Sequence, residues 1–255
     1  MNDWIVRSAQ LRRDGYCVVP QVLDRRRVDL LGAFAERYIA ERPDDDKISA
    51  PMPLGPYQPE IAELIVRPNV IEALNHLGLE DLRYYSAVLL SAKPGDGIGG
   101  WHQDWFGWDY KETSEKSRPP EIALLYYLVD THRDNGCLRV LPGSQRADFE
   151  WRSLPLSAFA LAEPQEAVDV AVRAGDVVVL DARVFHGRHA NRSSQRRTVL
   201  SLWYVPGFND LDEPLRAYIA GAVNQDWKPL LQGLVPEYTG QVPVAKANYG
   251  HPNAY

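Results

Sequence analysis

Cysteine is scarce in this 255-residue chain: Cys17 and Cys137 are the only two. That is too few for a disulfide-built scaffold, and a reducing cytoplasm is the expected compartment. An excess of basic charge is also missing. Twenty-eight Lys and Arg stand against 34 Asp and Glu, a formal net charge of −6, so there is no positive field to hold a nucleic-acid backbone or an anionic bilayer. Neither nucleic acid nor membrane is an expected partner. The longest apolar run, Ile122 to Val129, falls far short of the ~20 residues a membrane-spanning helix requires. Met1-Asn2-Asp3-Trp4 shows no basic segment leading into an apolar stretch, so no secretory leader is expected. Nor does any internal repeat appear. What is plentiful is punctuation: 19 Pro and 18 Gly, spread along the chain, argue against a helical bundle and for short elements joined by turns. With 45% hydrophobic and 24% charged residues, the composition is that of a globular chain able to bury a full core.

The pattern predicts one domain over residues 1–255: helical decoration to about residue 80, a β barrel over roughly 82–210, and a lid or tail from about 211. Gly15 to Pro20 reads as an early strand, and Asp24 can cap a helix whose Val28, Leu31, Phe34 and Tyr38 recur every three or four positions. Five prolines between Pro43 and Pro59, with the run Asp44-Asp45-Asp46, predict a long loop free of regular structure. Tyr84–Ala92, Ile122–Val129, Val168–Val172, Asp176–Leu180 and Thr198–Val205 read as strands rich in Val, Leu and Tyr. Ala174-Gly175-Asp176 is expected to turn a hairpin between the third and fourth of these. Strands linked by turns rather than helices indicate an antiparallel sandwich or barrel. Asn135-Gly136 and Pro142-Gly143-Ser144 are turn signals whatever the function.

Six histidines are available: His76, His102, His132, His186, His189 and His251. In Trp101-His102-Gln103-Asp104 an imidazole and a carboxylate lie two residues apart, on one face of an extended segment, as metal ligands would. Alone this is weak, because six His and twenty Asp in 255 positions give about 0.5 such pairs by chance. His186, shortly after a predicted strand, supplies a third donor and completes a two-histidine, one-carboxylate set. Such a set binds Fe(II) and leaves positions open for O₂ and a bidentate co-substrate. Arg197, at the start of the next strand, offers a planar guanidinium suited to a carboxylate, whereas Arg196 is expected to face the opposite side. His189 competes with His186 as a ligand, but its phase relative to Arg197 is less favourable. His76, His132 and His251 read as surface or structural residues, and Cys17 and Cys137 as small buried ones.

These residues, in this order, carry a resemblance. His102-Gln103-Asp104, the run Asp134 to Ser144, Gly175-Asp176, His186 and Arg197 resemble the successive motifs of the phytanoyl-CoA dioxygenase family of Fe(II)/2-oxoglutarate oxygenases. The opening Asp14 to Pro20 before a helix is similar too, and the likeness spans roughly residues 10 to 210. It implies a mainly β fold with flanking helices, a double-stranded β-helix of the jelly-roll or cupin-like kind with the metal at one mouth. It also implies His102, Asp104 and His186 as iron ligands, Arg197 on the distal carboxylate of 2-oxoglutarate, O₂ as oxidant, and Trp108 beside the co-substrate. One position departs from the pattern. Arg188 stands where relatives commonly carry a serine that assists the arginine, and it either substitutes for that serine or points to solvent.

Asp104 disfavours halogenation, since related halogenases leave that ligand position to chloride. A cupin-like isomerase or a silent binding module are the competing readings, and neither has a use for Arg197. Trp105, Phe106 and Trp108 follow the first ligands, and the Pro-rich loop around Met52 to Tyr57 is long enough to reach a barrel mouth. Together they predict an aromatic-walled pocket, with Trp105, Phe106, Tyr57 and Met52 touching a small cyclic substrate. The expected activity is tailoring of a secondary metabolite, as in antibiotic biosynthesis, by hydrogen abstraction and hydroxylation. The alternatives are epimerisation, desaturation or ring closure on the same metal, or hydroxylation of an acyl-CoA or amino acid. Six Lys against 22 Arg suggests a GC-rich genome, in keeping with a bacterial tailoring enzyme. Oligomeric state is not legible.

Overall fold

The computed structural model describes residues 3–41, 51–105, 107, 111–146, 148–150 and 163–221. Two antiparallel sheets face each other. The six-stranded sheet runs in the order β1 (Tyr16–Val19), β8 (Val177–Asp181), β5 (Ile122–Tyr127), β10 (Arg197–Val205), β3 (Arg83–Ala92) and β2 (Met52–Leu54). The four-stranded sheet runs β4 (Gly99–His102), β9 (His186–Arg188), β6 (Leu138–Val140) and β7 (Val168–Val170). Their inner faces share one apolar layer: Ala123, Leu125, Tyr127, Val178, Leu180 and Val199 from the larger sheet meet Leu138, Val140 and Val170 from the smaller. This is the jelly-roll sandwich expected from the sequence.

The outer face of the larger sheet is covered by helices. Helix α1 spans Asp3–Asp14, α2 Arg25–Ala40, α3 Pro59–Ile65 and α4 Pro68–His76. Leu31, Phe34, Ile61, Ile65 and Leu74 pack there on Leu124, Tyr126, Leu200, Leu202 and Tyr204. Strand β5 is consequently buried at all six positions, which is why Ile122 to Tyr127 shows no polar alternation. Helix α2 begins where expected: the Asp24 carboxylate accepts from the Arg27 amide at 2.7 Å, and Val28, Leu31, Phe34 and Tyr38 are buried. Trp105 closes one end of the barrel, packing with Ala182 and Val205 against Leu215 and Ile219 of α5 (Glu213–Gly221).

Two expectations are corrected. Within the described part of the predicted Pro-rich loop, Met52–Leu54 forms β2, antiparallel to β3 with Pro53 opposite Val88. Proline is tolerated because β2 is an edge strand, so its missing N–H leaves no ladder bond unmade. The Ala174-Gly175-Asp176 turn, second, is not a hairpin: β7 pairs with β6 in the smaller sheet, and β8 with β1 and β5 in the larger. The turn is a corner between sheets. Gly175 has φ +94°, and a Cβ there would collide with the Leu23 carbonyl, whose own amide donates to the Gly175 oxygen at 3.0 Å. Alternation and turn chemistry read the same for a hairpin and for a corner, so local sequence did not separate them. Of residues 211–255, expected as a lid or tail, Glu213–Gly221 form a helix and 222–255 lie outside the described residues. No described helix is long and apolar enough to cross a membrane.

Candidate metal centre and co-substrate pocket

Strand β4 lies beside β9, with His102 opposite His186. On β9 and β6, His186 pairs with Val140 and Arg188 with Leu138. Val140 and Leu138 belong to the inter-sheet layer, so His186 and Arg188 both point into the barrel. Asp104 follows β4, its amide held by the Ala182 carbonyl at 2.9 Å. One ligand atom each from His102, Asp104 and His186 lie within 4.8 Å of one another. The Asp104 Oδ1 is 3.8 Å from each Nε2, a spacing one ion at ~2.1 Å from each donor can bridge.

Each donor is aimed by a second contact. His186 Nδ1 lies 3.1 Å from the Val184 carbonyl and His102 Nδ1 2.9 Å from the Gly100 carbonyl. Both rings therefore carry the proton on Nδ1 and present a bare Nε2 to the cluster. The Trp203 indole donates to Asp104 Oδ2 at 2.9 Å, leaving Oδ1 for the cluster. Burial, and then the neighbouring His102, pull His186 down to about 4, so it is the neutral, ligand form at neutral pH. His102 is half exposed and His186 nearly closed off, which sets the open side of the site at His102.

The corner leading to His186 is pinned. Arg183 and Asp181, both fully buried, form a bidentate pair at 3.0 and 2.7 Å. The Gln103 side-chain amide donates to the Arg183 carbonyl, tying the β4 ligand segment to the β9 one. Ser144 Oγ accepts from the Phe185 amide at 2.8 Å and donates to the Leu141 carbonyl at 2.6 Å, so a residue read as turn scaffold holds the residue before His186.

Arg197 is buried, and its Nε has no hydrogen-bond partner among the described residues. It pairs with Ala92 at the start of β10 and shares an inward face with Val199. Burial lowers its pKa, partly offset by Tyr127, Cys137 and Asp96. A buried guanidinium with an orphaned donor calls for an anionic partner. Arg196 points the other way, donating to Ser91 Oγ at 2.9 Å. Arg188 lies close enough to Arg197 for the two charges to oppose each other. It donates to the Gly97 carbonyl at 2.7 Å and sits 3.9 Å from Asp96. Of the two orientations open for Arg188, the structure takes the inward one. A Cβ on Gly99 would run into its side chain.

The described members of the predicted pocket wall lie elsewhere. Trp105 is turned into the end of the barrel core, 3% exposed. Met52 pairs with Leu89 and packs on the helix-side core, opposite the ligand face. Tyr57 is 55% exposed. Phe106 and Trp108 lie outside the described residues. None of the three described residues is brought to the cluster. His189 faces out of the barrel and holds Asp169 at 2.6 Å. Trp203 was legible in principle, because period-2 alternation from Arg197 puts it on the inward face. Glu121 had no such signal: it is fully buried, its Oε2 unpartnered, and burial followed by Asp104 and Asp181 pushes its carboxyl well up.

Comparison with known proteins extends the geometry. A "Probable alpha-ketoglutarate-dependent hypophosphite dioxygenase" from Stutzerimonas stutzeri is 25% identical over 160 residues, 58% of this chain and 54% of its own length. The chain thus spans about half of that relative. The "Ectoine dioxygenase" of Nocardia farcinica is 24% identical over 247 residues, covering 83% of this chain and 82% of the relative. Among solved structures, the non-heme alpha ketoglutarate dependent epimerase SnoN from nogalamycin biosynthesis superposes with a TM-score of 0.60 at 21% identity. It covers 80% of this chain and 83% of that one, a likeness of fold. A family profile described as phytanoyl-CoA dioxygenase matches residues 11–199, a stretch that contains the inward-facing histidines, their carboxylate and the unpaired arginine. The chain belongs to the phytanoyl-CoA dioxygenase family.

Proposed function

We propose that the chain is an Fe(II)- and 2-oxoglutarate-dependent oxygenase that hydroxylates a small cyclic molecule of the secondary-metabolite type, acting as one catalytic unit in the cytoplasm. The observation that carries this reading is the pairing of an open-sided His102, Asp104 and His186 cluster with the inward guanidinium of Arg197, whose Nε has no partner among the described residues. Two imidazoles and one carboxylate suit Fe(II) and leave coordination positions for a keto acid and O₂. When bound, that group oxidises an unactivated C–H bond while 2-oxoglutarate is converted to succinate and CO₂.

The residues of this chain do the rest. His102 and His186 present Nε2 because their Nδ1 protons are held by the carbonyls of Gly100 and Val184. Asp104 keeps one oxygen for the ion because Trp203 occupies the other. Arg197 receives the distal carboxylate of 2-oxoglutarate, and Arg188 adds a second cation at that end of the pocket, in place of the serine common in relatives. The inter-sheet apolar layer keeps bulk water from the inner side. The exposed His102 marks where the substrate enters.

The cyclic-substrate reading no longer leans on Trp105 or Met52. It is supported by the company the fold keeps, ectoine and nogalamycin being named for its relatives. Aerobic incubation with Fe(II), 2-oxoglutarate and a panel of polyketide, terpenoid, amino-acid and acyl-CoA candidates tests it, with succinate and product mass recorded. Gain of one oxygen on a ring compound is the expected result. An unchanged mass marks epimerisation, and loss of two hydrogens marks desaturation or ring closure. Efficient turnover of an acyl-CoA overturns the substrate class.

A further inference from the structure

A second group of donors lies on the opposite face of the four-stranded sheet. Leu138, Val140 and Val170 point inward, so residues adjacent to them on their strands point out. Arg139 does so, its guanidinium 4.9 Å above the Trp101 ring and paired with Glu163. Asp169, opposite Arg139 on β7, shares that outer face. Cys137 immediately precedes inward Leu138, and His189 immediately follows inward Arg188. Strands β9, β6 and β7 are neighbours, and the His189 amide donates to the Cys137 carbonyl at 3.1 Å. Three neighbouring strands therefore deliver a thiol, an imidazole and a carboxylate to one spot, with one ligand atom from each within 4.8 Å of the others.

We propose that Cys137, Asp169 and His189 form a second metal site, for Zn(II) or another thiophilic divalent cation. The donor set of one sulfur, one nitrogen and one oxygen matches what such ions take, with a fourth position left for water. Cys137 and His189 are buried while Asp169 is exposed, which gives the ion a route from solvent. Arg133 stands 3.3 Å from Asp169 Oδ2, so it is Oδ1 that faces the cluster. There His189 Nε2 lies 2.6 Å from it, a hydrogen bond closer than two ligands of one ion. Metal entry replaces the proton in that bond: it moves to Nδ1 of the imidazole, Nε2 binds the ion, and the Cys137 thiol releases its own proton to solvent. Without metal the thiol is held up to about 11 by burial, with Asp169 adding to the shift and Arg197, Arg133 and Arg139 opposing it. The apo pocket therefore holds a neutral thiol.

Cobalt(II) distinguishes this site from the inner one, because only a thiolate gives a sulfur-to-cobalt charge-transfer band in the near ultraviolet. The full chain, stripped with chelator and titrated with Co(II) under reducing conditions, is expected to develop that band, and Zn(II) should bleach it. Cys137→Ser is expected to lose the band and reduce bound cobalt from about two equivalents to about one. Cys17→Ser and His186→Ala should keep the band, and His189→Gln should weaken cobalt binding at least tenfold, with near-ultraviolet circular dichroism confirming the fold. A wild-type protein that reaches cobalt saturation with no thiolate band overturns the proposal, as does a band that survives in Cys137→Ser. Neither result bears on the iron site, since His102, Asp104 and His186 carry no sulfur.

Discussion

Trp203 touches Asp104 rather than any ion, and its indole N–H decides which carboxylate oxygen stays free. Trp203→Phe keeps most of the ring while removing that donor, so Fe(II) affinity is expected to fall about 10- to 100-fold with little change in unfolding midpoint. Metal titration followed by a denaturant melt checks both halves. Arg197 makes the opposite kind of contribution, a buried charge whose Nε has no partner among the described residues. Arg197→Ala should raise the apparent constant for 2-oxoglutarate at least tenfold, in line with the ~2–5 kcal/mol of a desolvated charge pair. Arg196→Ala, which only frees Ser91 on the other face, should leave that constant unchanged, and an equal effect from both would refute the assignment. At this scale the sequence was most legible where chemistry is concentrated in one residue type. The order His102, Asp104, His186, Arg197 could be read directly, whereas the contact that aims Asp104 comes from Trp203, distant in sequence. Trp105 lies in the core rather than in a pocket wall because an aromatic side chain satisfies core packing and pocket lining equally well in one dimension.

Strands β4 and β9, which present the two histidines, are short and poor in strand formers: Gly99-Gly100-Trp101-His102 and His186-Gly187-Arg188. Nothing in their composition announces a strand, and they went unread. They are strands because long-range contacts hold their ends, Gln103 on the Arg183 carbonyl and the Phe185 amide on Ser144, while the buried Asp181–Arg183 pair fixes the corner before β9. Arg183→Ala leaves Asp181 charged and buried, and is expected to destabilise the fold by ~3–5 kcal/mol. Replacing both with apolar residues of similar size should cost far less, a contrast that equilibrium unfolding would show. If the single and double variants unfold alike, the corner is not held by this pair. Helix α2 is the reverse case, legible because its capping residue and its apolar stripe are local. Asp24→Ala should cost about 1 kcal/mol through the loss of one cap, measured the same way.

For the whole molecule, strand composition was enough to expect a sandwich, but not which strands share a sheet. The Val168–Val172 and Asp176–Leu180 segments read as partners and lie in different sheets, because pairing is decided by closure of two layers around the inter-sheet core rather than by the intervening turn. That closure is also what divides His186 from His189: three residues apart, they end on opposite faces, one toward Asp104 and one toward Asp169. The central claim, that the inner cluster holds Fe(II) with 2-oxoglutarate on Arg197, is tested most directly by the visible charge-transfer band of a keto acid chelated to Fe(II), recorded without oxygen. The wild-type chain should develop this band on addition of Fe(II) and 2-oxoglutarate. His186→Ala should abolish it, Arg197→Ala should require at least tenfold more co-substrate to reach it, and His189→Ala should leave it intact. A band that persists in His186→Ala, or that disappears in His189→Ala, would contradict the account.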